Sequence, residues 1–520
     1  MKNVEGRPGY PVFSRPSTDV TYIKGVNFYR HYEQHRKGAR PIVIYPPLGN
    51  VWIALEYFGQ RFGIKTLTQL ERDDDSSKPQ NPPNINKETE NLGTQYSPEG
   101  ICGPFKSLMG YTLQSAIRFE KLREAMGDDV IYPVFMTHES TGLCRERTYG
   151  RLAEAHLHDY YMHNFGHANF DFYILKDSVQ GVMEFVSFLL DVSGRNIGAS
   201  RFRIITNFID TVNLINEAIE RLDMAEIFEK DVRYTQSLIS ENDFHKAEVI
   251  LQGARLALAS GDLPNNKKSG VTHVMRQKLE DLPERKVIPG GNLAKAGEVF
   301  LANVLDEMHQ RETAVIGEIP LANVLDEMHQ RLNALPRIRE IPKGVIAIAG
   351  EIFMVEEMAS SAADLGSVLG KLGYYYVKTV GHSHYTHKVR LDLERLSAFL
   401  IRKLNPLHRD QKAELAAKAG LRRDVGGHSL DTGKLATLIN EGKADYDGVI
   451  EMFPYNCLPQ IMAANIVKCE IPWLRLLFGE QAGRAGIITR VEASLDTIER
   501  RKQKAKERRS ATIGIATNQN

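Results

Sequence analysis

Short runs of β-branched and aromatic residues recur along this chain, each followed by a turn and then by apolar residues at helical spacing. That alternation constrains the fold more than any other feature. PIVIYP at 41–46 leads through the turn Pro47-Leu48-Gly49-Asn50 to Trp52, Leu55, Tyr57, Phe58 and Phe62, a strand–turn–helix unit. VIYPVFM at 130–136 and FDFYIL at 170–175 read as further strands, with helices over about 105–125, after residue 144, and closing near 193. The pattern returns at GVIAIAG (344–350), Tyr374 to Thr379, GVIEMF (448–453) and IPWLRLLF (471–478), with helices expected over 355–372, 388–404 and 432–442 and a charged one from Val491 to about Arg509. Strands alternating with helices pack as an open, mostly parallel sheet covered on both faces.

The expectation is therefore an α/β protein with two Rossmann-like parallel-sheet halves, at 39–195 and 341–505. An N-terminal arm precedes them at 1–38, and a disordered tail follows at 506–520. Between the halves, 196–340 reads as a helical insert and linker: Ile204, Phe208, Val212, Ile215 and Ile219 recur at three- and four-residue steps, and 263–292 is rich in turn formers. Residues 72–96, rich in Asp, Ser, Pro and Asn, read as an exposed loop. LANVLDEMHQR occurs at 301–311 and again at 321–331; two copies are too few for a solenoid.

Charge excludes some functions. Lys and Arg total 66 against 65 Asp and Glu, so bulk electrostatics gives no grip on nucleic acid or a membrane surface. No apolar run reaches the ~18–20 residues of a spanning helix, and the first residues lack the apolar core of a signal peptide. A cytoplasmic protein is expected; an oligomer is left open. In a reducing compartment the 4 cysteines serve burial, catalysis or metal binding rather than disulfides.

Three of the four share a setting. Cys102 in YSPEGICGPFK (96–106), Cys144 in STGLCR (140–145) and Cys457 in FPYNCLP (453–459) each stand where a strand or loop gives way to a helix. In open α/β sheets such loops gather in the crevice beyond the carboxyl ends of the strands, and cluster ligands need not be close in sequence. The spacing matches no compact motif, so burial as small hydrophobes and metal ligation both stand on the residues alone.

Several segments resemble, in order, the 2-hydroxyacyl-CoA dehydratase and benzoyl-CoA reductase-like superfamily, and within it the branch labelled CoA protein activase. Residues 96–106 with Gly110-Tyr111 resemble its "SPE-x-x-C-x-PFK…G-x-Y"; residues 44–50 its "FPH-x-GN"; Thr141 to Arg145 with Tyr149 its "GPCR-x-G-x-Y". Gly350 to Phe353 resemble "GEIY", Phe453 to Pro459 "PF-x-C-x-PE", and Thr489 to Ala493 "TR-x-EAF". The resemblance implies a [4Fe–4S] cluster on Cys102, Cys144 and Cys457 with one iron site open. It also implies an ATP-dependent activator protein, carrying its own cluster, that delivers a low-potential electron, and an acyl-CoA or similar small molecule that receives it. Retained family chemistry would make a ketyl radical from the thioester carbonyl and expel a hydroxyl. The alternative is a non-catalytic, cluster-bearing electron carrier or accessory subunit. Cys469 falls outside the matched motifs, as a structural thiol or a fourth ligand. Lys106 and Arg145, beside two of the cysteines, are candidates for stabilising a reduced cluster or an anionic substrate, or are surface charges. Leu143, Arg147, Gln460 and Gly479 depart from the family's pattern.

Other constellations are weaker. His163 and His167, with His156 and His158 nearby, have the i, i+4 spacing of a zinc pair but no accompanying glutamate. His382, His384 and His387 read as a polar loop, and Gly426-Gly427-His428 as a tight turn at a helix start. GSVLGK at 366–371 has one residue too few for a phosphate loop and reads as a helix end, so the chain itself is not expected to hydrolyse ATP.

Overall fold

The structure is a computed structural model describing residues 40–46, 49–69, 87–98, 101–126, 131–139, 148–176, 185–186, 188–190, 193, 201–260, 321–356, 365–380, 411–422, 428–478 and 483–517. It contains two four-stranded, all-parallel sheets. The first takes β1 (Arg40–Ile44), β2 (Lys65–Thr66), β3 (Ile131–Glu139) and β4 (Asp171–Lys176) in the order β2-β1-β3-β4. The second takes β5 (Gly344–Gly350), β6 (Tyr374–Lys378), β7 (Gly448–Pro454) and β8 (Trp473–Phe478) in the order β6-β5-β7-β8. Both halves thus place their second strand outside the first and the third on the first's other side. The doubly wound arrangement and its topological switch point occur twice.

Alternation along the strands explains why each sheet is buried on two faces. Val43, Val134 and Met136 join one core while Ile42, Ile44 and Phe135 join the other. The first core also takes α1 (Val51–Phe62) and three helices from the middle of the chain: α5 (Arg201–Gln236), α6 (Phe244–Ser260) and α7 (Leu321–Asn333). The helical middle is therefore a layer on the first sheet. The opposite face is covered by α3 (Gly103–Met126) and α4 (Tyr149–Asn164). In the second sheet Ile346 and Ile348 face α9 (Leu365–Lys371) and α13 (Arg484–Thr517), while Ala347 and Ala349 face α11 (Ser429–Asn440). Three further short helices are α8 (Ile352–Glu356), α10 (Gln411–Lys418) and α12 (Leu458–Ile466).

Some expectations need correction. The segment 72–96 contains a helix, α2 (Lys87–Gln95), which crosses α3 at backbone contact. A Cβ on Gly93 would lie 1.7 Å from the Lys106 carbonyl oxygen, and one on Gly110 would lie 1.9 Å from that of Thr89. Two glycines on facing helices permit that approach, and polar composition concealed it. The last helix runs to Thr517, beyond the tail boundary: the Lys/Arg/Gln/Glu/Ala-rich stretch 500–509 is a good helix former, and the helix continues through the less helix-prone residues 510–517. Of the helix expected over 355–372, the described residues hold α8 and α9, and 357–364 lie outside them; β8 begins at Trp473, since Pro472 has no amide to add to the ladder. The helix expected at 388–404 and the first copy of the duplicated segment lie outside the described residues.

A buried ion network joins the three parts. Glu229 of α5 accepts from Asn50 Nδ2 at 2.8 Å, at the start of α1, and is paired with Arg233 one turn along. Arg255 of α6 approaches it at 3.4 Å, and Lys378, at the end of β6, at 3.2 Å. Lys378 also binds Glu356 at 2.9 Å, and the Arg233 guanidinium lies 5.0 Å from the Tyr376 ring centre. Burial pushes Lys378 below the ordinary lysine range, with Glu356 opposing the shift and Arg233 adding to it. The network lies just past the carboxyl ends of β1 and β6, the side of both sheets on which the cleft opens.

Candidate functional site

Two of the three implied cluster cysteines come together. Cys102 and Cys457 line one open cleft with about 300 Å³ of empty space, with Cys102 and Tyr149 from the first half and Glu351, Phe353 and Asn456 from the second. Both cysteines are buried, and neither is in a disulfide.

Local sequence places each thiol. Cys102 immediately precedes α3, and the Phe105 amide bonds back to its carbonyl at 3.2 Å. The Gly93–Gly110 crossing fixes the height of α3 and hence of its first residue. Cys457 is the N-cap of α12, with Pro459 in the first turn, a position whose missing amide costs nothing. Asn456, just before it, has φ of 68°, the left-handed region that asparagine tolerates better than most residues, and turns the chain from β7 into the cleft. Both sulfurs thus stand at helix N-termini, where unpaired amides and the helix dipole favour negative charge.

Below Cys457, β7 carries Glu451, with no exposed surface. It accepts from Gln460 Nε2 at 2.6 Å, Trp473 Nε1 at 2.8 Å and Arg475 Nε at 3.1 Å. Gln460 also donates to Thr432 at 2.7 Å. The departure at Gln460 therefore has a physical reason: an amide donates to Glu451, where a carboxylate would repel it.

Glu351 follows Gly350, whose φ of 125° only glycine adopts readily and where a Cβ would meet the Met452 oxygen at 1.9 Å. The Glu351 carboxylate accepts the Met354 amide at 3.2 Å, capping α8, and forms part of the cleft wall. Tyr149, in the first turn of α4, is hydrogen-bonded to the Cys102 sulfur, and its ring meets Phe105 edge-on at 5.3 Å.

The remaining candidates divide. Cys144 and Arg145 lie outside the described residues; in chain order they fall between β3 and α4, as Cys457 falls between β7 and α12. Lys106, one turn into α3, is half-buried and is not part of the cleft wall. Cys469 precedes β8, at the opposite end of the second sheet from the cleft, among Ala347, Ala349 and Val449. Burial pushes its thiol up, which disfavours the thiolate a metal needs. His163 and His167 do not share a helical face: α4 ends at Asn164, and His167 turns back to Arg123, Nε2 to Nη2 2.7 Å. His382, His384 and His387 lie outside the described residues, as do Gly426 and Gly427, while His428 precedes α11. Residues 366–371 fall within α9.

Among the described residues no three His, Cys, Asp or Glu side chains are arranged to hold a metal ion. The donors that do line the cleft have the chemistry of a thiolate-held anionic group: two buried sulfurs, two helix N-termini and a phenol on one sulfur. Sequence reasoning assigned no role to the Tyr149 hydroxyl or to Asn456, and their signal was adjacency to the second and third cysteines. Among the described residues no helix is long and apolar enough to cross a membrane. No family model, curated protein or solved structure matches this chain.

Proposed function

We propose that this chain is a redox protein of the 2-hydroxyacyl-CoA dehydratase-like type. It would take an electron from an ATP-dependent activator with its own cluster and pass it to an acyl-CoA or similar small molecule. One observation carries the reading: Cys102 and Cys457, from opposite halves of the chain, line the same cleft beyond the carboxyl ends of two parallel sheets. When bound, a [4Fe–4S] cluster supplies one-electron transfer at low potential.

The chain's own residues have separable roles in this scheme. Cys102 and Cys457 hold the group, with Cys144 as third thiolate. The amino ends of α3 and α12 favour its negative charge. Pro104, Phe353 and Pro454 keep water from the sulfurs. Glu351 sets a carboxylate in the cleft wall. Such a site belongs in a reducing compartment such as the cytoplasm.

A second reading rests on the same two sulfurs: a site that holds a cluster needs no acyl-CoA pocket beside it. That fits the non-catalytic carrier as well as the enzyme. Anaerobic purification followed by iron and sulfide analysis tests the shared claim: about four irons per chain are expected, lost in Cys102→Ser and Cys457→Ser. Iron-free protein, or serine variants with unchanged iron and EPR signal, would refute it. Acyl-CoA turnover with activator, ATP and reductant then separates enzyme from carrier.

A further inference from the structure

We propose that the Tyr149 hydroxyl donates to the Cys102 sulfur and thereby sets the electron affinity of the site. This inference rests on the cluster reading above. Tyr149 and Cys102 are 2% and 5% exposed, so bulk water does not compete for the bond. The phenol is held from both sides: its backbone begins α4, and its ring is fixed edge-on against Phe105, itself fully buried in α3. Both partners of the bond therefore hang from elements whose positions are set by core packing rather than by the bond itself. A metal-bound cysteine has no proton, so in that state only the tyrosine can donate.

The direction of the effect follows. A donor on a ligand sulfur withdraws negative charge from it and stabilises whichever redox state carries more. The reduced state carries one more electron, so the bond raises the potential.

The test uses the full chain with its cluster in three forms: wild type, Tyr149→Phe, and a form with 3,5-difluorotyrosine at position 149, whose more acidic phenol is a stronger donor of nearly unchanged shape. Potentiometric titration followed by EPR should show the phenylalanine variant harder to reduce. About a tenfold change in the oxidised-to-reduced ratio at fixed ambient potential is expected, ~59 mV for a one-electron couple. The fluorinated form should move the opposite way. Equal potentials and signals in all three, with iron retained, would overturn this inference and leave the proposed function standing. Iron-free wild-type protein would overturn both. If Tyr149→Phe folds but loses iron, the fluorinated form decides: an upward shift supports the inference and no shift overturns it.

Discussion

Replacing Glu229 by Gln removes one charge from the network that joins the helical layer to both sheets, and keeps the side chain's shape. Three cations, Arg233, Arg255 and Lys378, then face Glu356 with their shared carboxylate gone. At an effective dielectric constant of about 20, the 3.2 Å contact to Lys378 alone is worth ~5 kcal/mol before desolvation. Desolvation of the carboxylate, no longer required, offsets part of that. Losses measured on breaking one side of a buried pair are ~3–5 kcal/mol, and that is the expected fall in unfolding free energy at pH 7.

Relief comes from Lys378, which burial already holds below its ordinary range. A base depressed in the folded state binds fewer protons there than when unfolded, so its contribution to stability rises as pH rises toward the unfolded value. Losing Glu229 depresses Lys378 further and widens that window, so the gap between wild type and variant should narrow from pH 7 to pH 9.5. Urea titrations by circular dichroism at both values measure it, with the m-value monitored for two-state behaviour. A loss below ~1 kcal/mol, or a gap indifferent to pH, would refute the claim that an uncompensated buried charge is the cause.

Gln460→Glu should cost ~1–3 kcal/mol at pH 7 by setting a second carboxylate beside the buried Glu451. The new acid's pKa would be raised, so the loss should shrink as pH falls toward ordinary carboxylate values; chemical denaturation across pH 4.5–7 checks this. Gly110→Ala places a Cβ 1.9 Å from the Thr89 oxygen and forces α2 off α3; a loss of ~1–3 kcal/mol and faster alkylation of Cys102 in the apo protein are expected. Burial, reinforced by Glu217, Glu120 and Glu499 respectively, raises Tyr57, Tyr161 and Tyr374 above the ordinary tyrosine range. Each keeps its proton in the folded state after the unfolded chain has lost it, so stability should fall as pH rises past about 10. Ultraviolet phenolate titration should show these rings ionising only as the protein unfolds.

Seven of the eight strands were legible because they are short apolar runs bounded by turn residues and followed by amphipathic segments; β2, only two residues long, has no such run and was not. The places where Cys102 and Cys457 sit, each at a helix start, were legible from Pro and Gly around them. The helix α2 was not, because its packing depends on the absence of side chains at Gly93 and Gly110, and a missing Cβ leaves no apolar signal in the sequence. The i, i+4 spacing of His163 and His167 misled for the opposite reason: local periodicity says nothing about where the tertiary fold ends a helix, and α4 stops between them.

Sequence by itself determined the α/β class, seven of the eight strands and the short list of sulfurs, since these depend on local patterning and residue chemistry. Only the tertiary structure decided that Cys102 and Cys457 share a cleft while Cys469 stands at the far end of its sheet. Strand order and the common direction of parallel strands set which loops meet, and both arise from contacts between residues distant along the chain.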